Sequence, residues 1–164
     1  MFNKLKSLDD LFTEQLKDLY SAETQLVKAL PDMASEARDA RLRQGFEKHL
    51  QETMNQVSRL EQIGRGLNID LSGHTCKAMQ GLVAEGKETI SEDATDEVKD
   101  AALIAAAQRV EHYEISGYGT AAHYAERLGH TEAASLLRQT LQEEQLTDTK
   151  LNDLAKSYIN QRAM

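Results

Sequence analysis

Apolar positions recur along this chain at intervals of three and four residues, the repeat of an amphipathic helix, and four long segments carry it. The first begins after Ser7, whose hydroxyl suits an N-cap, with Asp9 and Asp10 in the first turn where the helix dipole favours them. It runs to about Ala37 with the stripe Phe12, Leu16, Leu19, Tyr20, Leu26, Val27 and Leu30, and Glu23 falls at the centre of that stripe. Pro31 should kink or locally break it near Ala29–Leu30. The second runs from Ala40 to about Arg65, capped by Asp39 and stopped by Gly64 and Gly66. Its stripe is Leu42, Phe46, Leu50, Thr53, Val57 and Leu60, with His49 and Gln56 on one shoulder and Glu52 further round.

Residues 67–95 behave differently. They hold a loop, a weaker helix from about His74 to Ile90 that carries Gly81 and Gly86, and a polar run. The third long helix follows, Asp96 to Leu128, capped by Thr95 and ended by Gly129. Its inner face reads Ile104, Ala107, Glu111, Glu114, Ile115, Tyr118, Ala122 and Ala125. Thr131 caps the fourth, which extends to about Ile159 with the stripe Ala134, Leu137, Leu141, Glu144, Asp148, Leu151, Ala155 and Tyr158. Tight links within each pair and a long connection between the pairs predict an all-α, ferritin-like four-helix bundle. It comprises two antiparallel hairpins with a short extra helix in the crossover, one domain over 1–164.

Acids at stripe centres change the picture. Glu23, Glu111, Glu114, Glu144 and Asp148 stand where apolar side chains are called for, and His49 and Glu52 lie nearby on the second helix. A single glutamate on an apolar face is more often a helix-edge residue whose carboxylate reaches water, and the angle of Glu52 also fits a solvent-facing position. The joint pattern is harder to dismiss, because the residues share one level. Glu23 lies 16 residues before Asp39 and Glu52 13 after it, while Gly129 falls 15 residues after Glu114 and 15 before Glu144. Buried carboxylates need a proton or a compensating charge, and the inner faces offer no Lys or Arg at that level. Two divalent cations answer the need. A donor set of carboxylates and an imidazole, without thiolates, suits iron or manganese. Tyr20 and Tyr118 face the same side, as core aromatics or as hydrogen-bond donors to ligand carboxylates. Gln56 could donate to Glu52 or Asp148, or face solvent or a dimer partner.

Composition narrows the classes. A net charge of −8 argues against a nucleic-acid backbone binder, and Lys4 and Lys6 are too few for a basic tail. No apolar run approaches a membrane span, and the N-terminus lacks a secretory pattern. The one cysteine, Cys76, excludes an internal disulfide and reads as a packing residue in the crossover, with Met79 as core. A cytoplasmic location is the expectation.

Several stretches carry a family resemblance: D-L-Y-S-A-E-T-Q-L at 18–26, H-L-Q-E-T at 49–53, C-K-A-M-Q-G-L at 76–82, D-A-A-L-I-A-A-A-Q-R-V-E-H-Y-E-I at 100–115 and L-Q-E-E-Q-L-T-D at 141–148. The chain resembles the YciF-type (YciE/YciF) bacterial stress proteins, a ferritin-like group. The resemblance implies a rubrerythrin-like bundle, a homodimer and a di-metal site, with a small oxidant such as peroxide as the natural substrate if the protein is an enzyme. Set beside rubrerythrin, Glu23 matches the lone first-helix glutamate, and Glu111 and Glu114 the paired third-helix glutamates. Glu52 and Glu144 look like the openers of Glu-x-x-His motifs. Asn55 and Thr147 stand where those histidines belong, so His49 and Asp148 are the candidate substitutes. The competing expectation is a non-catalytic bundle that stores metal or binds a partner around a degenerate site.

Overall fold

The computed structural model describes residues 5–164; Lys4 and the start of the N-terminal stretch lie outside them. The described residues contain helices and no strands. The long elements are α1 (Leu8–Glu36), α2 (Ala40–Leu67), α4 (Asp96–Arg127) and α5 (Thr131–Leu154), with α3 (Lys77–Ser91) in the crossover. α5 continues through a π-helical turn, Ala155–Ile159, into the three-residue α6 (Asn160–Arg162). α1 pairs with α2 and α4 with α5. α1 also packs on α4 and α2 on α5, and α3 lies across α1 and α4. This is the bundle of two antiparallel hairpins that the long crossover predicts.

Local chemistry sets the ends. Ser7 and Asp10 form a reciprocal cap: Ser7 Oγ accepts from the Asp10 N–H at 3.1 Å and Asp10 Oδ2 accepts from the Ser7 N–H at 3.0 Å. Asp39 caps α2 by accepting from the N–H groups of Arg41 and Leu42. The other ends differ from expectation. α2 runs through Gly64 and Gly66 and stops at Asn68, which takes the left-handed conformation at φ 55°. Gly64 serves packing instead: a Cβ there would meet the Ile69 carbonyl at 3.0 Å. Thr95 makes no side-chain cap, and Thr131 is the first residue of α5, with His130 at the cap position. α1 continues through Pro31 without a break. Pro31 is exposed, while Leu30, Met33 and Ala34 on either side of it stay buried and hold the helix in line.

Two buried charges near the start of α4 fix the α1–α2 link and the end of the crossover helix. Asp100 on α4 accepts from the N–H groups of Arg38 and Asp39, both at 2.8 Å, and so pins the α1–α2 link. Lys99 donates to the carbonyls of Thr89, Ile90 and Glu92 and closes the C-terminus of α3. α1 and α4 approach closely at Gly117, where a Cβ would lie 2.8 Å from Leu19 Cδ2.

The interior is not one continuous apolar core. One apolar cluster includes Leu26, Leu30, Phe46, Leu103 and Leu151, and a second includes Phe12, Leu16, Leu60, Tyr118 and Leu137. Buried polar residues of all four long helices lie between them: Glu23, His49, Gln56, Glu111, Glu114 and Glu144.

Candidate metal centre

α4 supplies two of the carboxylates, because spacings of three and four residues put Glu111, Glu114 and Tyr118 on one face. α2 turns His49, Thr53, Gln56 and Leu60 inward, whereas Leu50 and Val57 are only partly buried. Leu42, Phe46, Thr53 and Leu60 keep the expected inner face of α2, and His49 and Gln56 from its shoulder are buried in place of Leu50 and Val57. α5 adds Glu144 and α1 adds Glu23.

His49, Glu111, Glu114 and Glu144 each present one donor atom, and these atoms all lie within 4.8 Å of one another. His49 Nε2 is 3.2 Å from Glu111 Oε1. Glu23 borders the group: its Oε1 accepts from the Tyr118 hydroxyl, and the Glu114 carboxyl lies against it. Gln56 Nε2 donates to Glu144 Oε1 and also to Glu143 Oε2 at 3.2 Å. Glu143 is held by the Arg59 guanidinium through two bonds of 2.6 and 2.7 Å. Arg59, Glu143 and Gln56 thus form a chain from the bundle surface to a central carboxylate.

Burial dominates the electrostatics. It pushes Glu23 up to about 8 and Glu144 up to about 7, with neighbouring carboxylates adding to the rise. Glu111 and Glu114 are raised well above the ordinary carboxylate range for the same reasons. Burial lowers His49 to about 4, so its ring is neutral and free to donate a lone pair. Glu23 Oε2, Glu111 Oε2, Glu144 Oε2, both oxygens of Glu114 and both nitrogens of His49 have no hydrogen-bond partner within the protein. An unpaired buried polar atom costs roughly 1–3 kcal/mol. So many at one level describe a pocket of donors that a divalent cation fits: oxygen and imidazole ligands, no thiolate, and no lysine or arginine to compete.

Residues 7–164 match the model of a family described as a domain of unknown function, DUF892. The chain belongs to the DUF892 family. Its sequence is 47% identical over 160 residues to Protein YciF of Escherichia coli (strain K12), covering 97% of this chain and 96% of that protein. The crystal structure of the E. coli stress protein YciF superposes with a TM-score of 0.92, covering 95% of this chain and 99% of that one. YcfI of Rhodopseudomonas palustris superposes at 0.89 with 43% identity, covering 93% and 97% of the two chains. A Xanthomonas campestris protein at 19% identity and a TM-score of 0.74 shares the fold.

In this DUF892 chain three of the residues singled out from the sequence stand apart from the central group. Glu52 turns to Lys48, 3.3 Å away on its own helix, with its side chain 24% exposed. With Thr53 and Gln56 facing inward, Glu52 falls on the outer side of α2. Asp148 accepts from Gln108 at 3.1 Å and lies 3.2 Å from His112 Nε2, at the α4–α5 edge. A four-residue step from Glu144 overshoots the inner face there. Tyr20 donates to Glu61 at 3.3 Å, so its hydroxyl serves the α1–α2 contact, away from the central carboxylates. Glu143 and Arg59 were not legible beforehand, since a solvent-side acid beside Glu144 looks like any other surface charge. Glu52→Gln and Asp148→Asn are each expected to leave metal content unchanged by elemental analysis. A loss of half the metal or more in either variant would place that carboxylate among the ligands.

Cys76 is buried, accepts from the Met79 N–H as the cap of α3, and has its Sγ 3.0 Å from the Tyr113 hydroxyl. Burial pushes its thiol up, which leaves it a packing and capping residue.

Proposed function

We propose that this protein is a ferritin-like metal protein that holds two divalent ions, iron or manganese, in the polar layer of its bundle and uses them to consume a small oxidant. Glu23, His49, Glu111, Glu114 and Glu144 are the ligands in this reading, with Tyr118 and Gln56 orienting Glu23 and Glu144. The observation that carries it is the convergence of four buried donors from α2, α4 and α5 within 4.8 Å. When bound, the ions would supply one-electron steps, so that a pair could reduce peroxide or take part in ferroxidation. The protein's own contribution is to keep the donors dry, to fix two of the carboxylates by hydrogen bonds and to hold His49 neutral. Likeness to the E. coli stress protein YciF supports a role in stress. A homodimer in the cytoplasm is the working form in this proposal.

Anaerobic titration with ferrous or manganous ions, followed by elemental analysis, tests it. About two ions per chain are expected to remain after gel filtration, and peroxide should then be lost from solution. Fewer than half an ion per chain would refute the centre. One observation favours a second reading, a bundle whose acids stay protonated and which binds no metal: burial raises all four carboxyls, so a neutral cluster is self-consistent at mildly acidic pH. That reading expects no effect of chelator on the melting temperature.

A further inference from the structure

Two central carboxylates each have one oxygen held by a hydrogen bond, and the two holds differ in kind. Glu23 Oε1 accepts from the Tyr118 hydroxyl and Glu144 Oε1 from the Gln56 amide, while the second oxygen of each has no partner within the protein. A phenol ends in a hydroxyl that donates without turning the ring. A primary amide carries a donor and an acceptor of nearly the same size on one carbon, so it fits the same space either way round. Something further must turn the nitrogen of Gln56 toward Glu144.

That group is Glu143. Gln56 Nε2 carries two N–H bonds and donates to Glu143 Oε2, at 3.2 Å, as well as to Glu144. Turned over, the amide would aim its oxygen at two carboxylates. The chosen orientation leaves a trace: Gln56 is 0% exposed, and its Oε1 has no hydrogen-bond partner. A buried acceptor is left unpaired at a cost, which the two bonds from Nε2 to carboxylates offset. Glu143 is a solvent-side acid whose side chain is 25% exposed, and it would swing into water unless held. Arg59 holds both its oxygens, at 2.6 and 2.7 Å, and also donates to Thr140 Oγ1 at 3.1 Å. Thr140 is itself buried, so the guanidinium is anchored on α5. A planar fork on two oxygens fixes the rotation of a carboxylate, which a single ammonium does not.

We propose that Arg59 is a positioning residue for the metal centre: through Glu143 it keeps the Gln56 nitrogen on Glu144 Oε1, and so leaves Glu144 Oε2 as the oxygen free for an ion. The effect on metal rests on the reading above; the hold on Gln56 does not. Arg59 reaches Glu144 only in steps, so its loss should be felt only where the Gln56 amide is present.

The metal-free protein tests the hold. The side-chain amide protons of Gln56, observed by NMR, are expected at low field and slow to exchange with water, and Arg59→Met should remove both properties. Arg59→Lys keeps the charge without the fork and should behave as Arg59→Met does. Manganous ion tests the consequence. Each Arg59 variant should raise its dissociation constant roughly tenfold and change the electron paramagnetic resonance spectrum of the bound ion. In a Gln56→Met background, Arg59→Met should add nothing to the dissociation constant, because the chain acts as one unit. Gln56 protons that stay at low field in both Arg59 variants would overturn the proposal. So would wild-type binding in Arg59→Lys, which would assign the effect to charge alone, or an undiminished Arg59→Met effect in the Gln56→Met background. A wild type that binds no manganous ion, while Arg59→Met still frees the Gln56 amide, retains the hold and overturns the metal reading together with the role built on it.

Discussion

Replacing Glu111 and Glu144 together by alanine is expected to abolish metal uptake, leaving less than a tenth of the wild-type content by elemental analysis. The two residues come from different helices and supply two of the four converging donors. With both gone, only Glu23, His49 and Glu114 of the five proposed ligands remain, too few to hold two iron or manganese ions against exchange into water. The melting temperatures should separate the two proteins further. A ligand present at 100 times its dissociation constant stabilises the folded state by about 2.7 kcal/mol. For a chain of this length each kcal/mol is worth roughly 2–4 °C. Chelation should therefore lower the wild-type melting temperature by roughly 5–10 °C and leave that of the double variant where it was. Equal metal content in the two proteins would eliminate the proposed centre.

The second large effect is a reversal of pH dependence on metal loading. In the folded, metal-free chain Glu23 stands at about 8 and Glu144 at about 7, against an ordinary 4.5, and Glu111 and Glu114 are also raised. The fold thus binds protons that the unfolded chain has released. The stability this contributes is complete below about pH 4.5 and is lost as pH rises through the folded values. His49 acts in the opposite sense. Lowered from 6.5 to about 4, it contributes stability above 6.5 that is lost as pH falls toward 4. Above pH 6.5 only the acids are at work, so the metal-free protein should lose stability steadily from pH 6.5 to 8.5. Each proton involved is worth about 1.36 kcal/mol per pH unit. In the metal-loaded protein the same carboxylates must be ionised, so loading releases protons and stability should rise with pH. Melting curves at pH 6.5, 7.5 and 8.5, with chelator and with manganous ion, check the crossing. Glu111→Gln/Glu144→Gln keeps the side-chain volumes and removes two of the titrating groups, and its metal-free curve should be flatter. A metal-free wild type that gains stability over this range would contradict the burial of these acids.

Much of this was legible along the chain. The helices, their order and the antiparallel pairing follow from periodicity, caps and loop lengths, which are local properties. The excess of acids on inner faces was visible for a related reason: a helix repeats every 3.6 residues, so a carboxylate at a stripe centre has nowhere to go but inward. That reasoning placed Glu23, Glu111, Glu114 and Glu144 in the interior, where they are found. It worked less well for α2. Leu42, Phe46, Thr53 and Leu60 of the expected stripe are buried, but His49 and Gln56 are buried in place of Leu50 and Val57. Hydrophobic counting turns a helix toward its greasiest side. Here the partner surface at that level is itself polar, and hydrogen bonding to Glu144 is worth more than burying a valine.

What the sequence determined by itself was a helical bundle with a ring of acids that no basic residue could neutralise. Only the tertiary structure decided which acids meet. The packing of α2 takes in its shoulder residue His49 and leaves Glu52 to Lys48. The crossing of α4 and α5 leaves Asp148 at an edge with Gln108 and His112. Side chains on one helix share a face by covalent geometry. Side chains on different helices share a site only through the rotation and crossing angle of each helix, and those are fixed by packing across the whole interior.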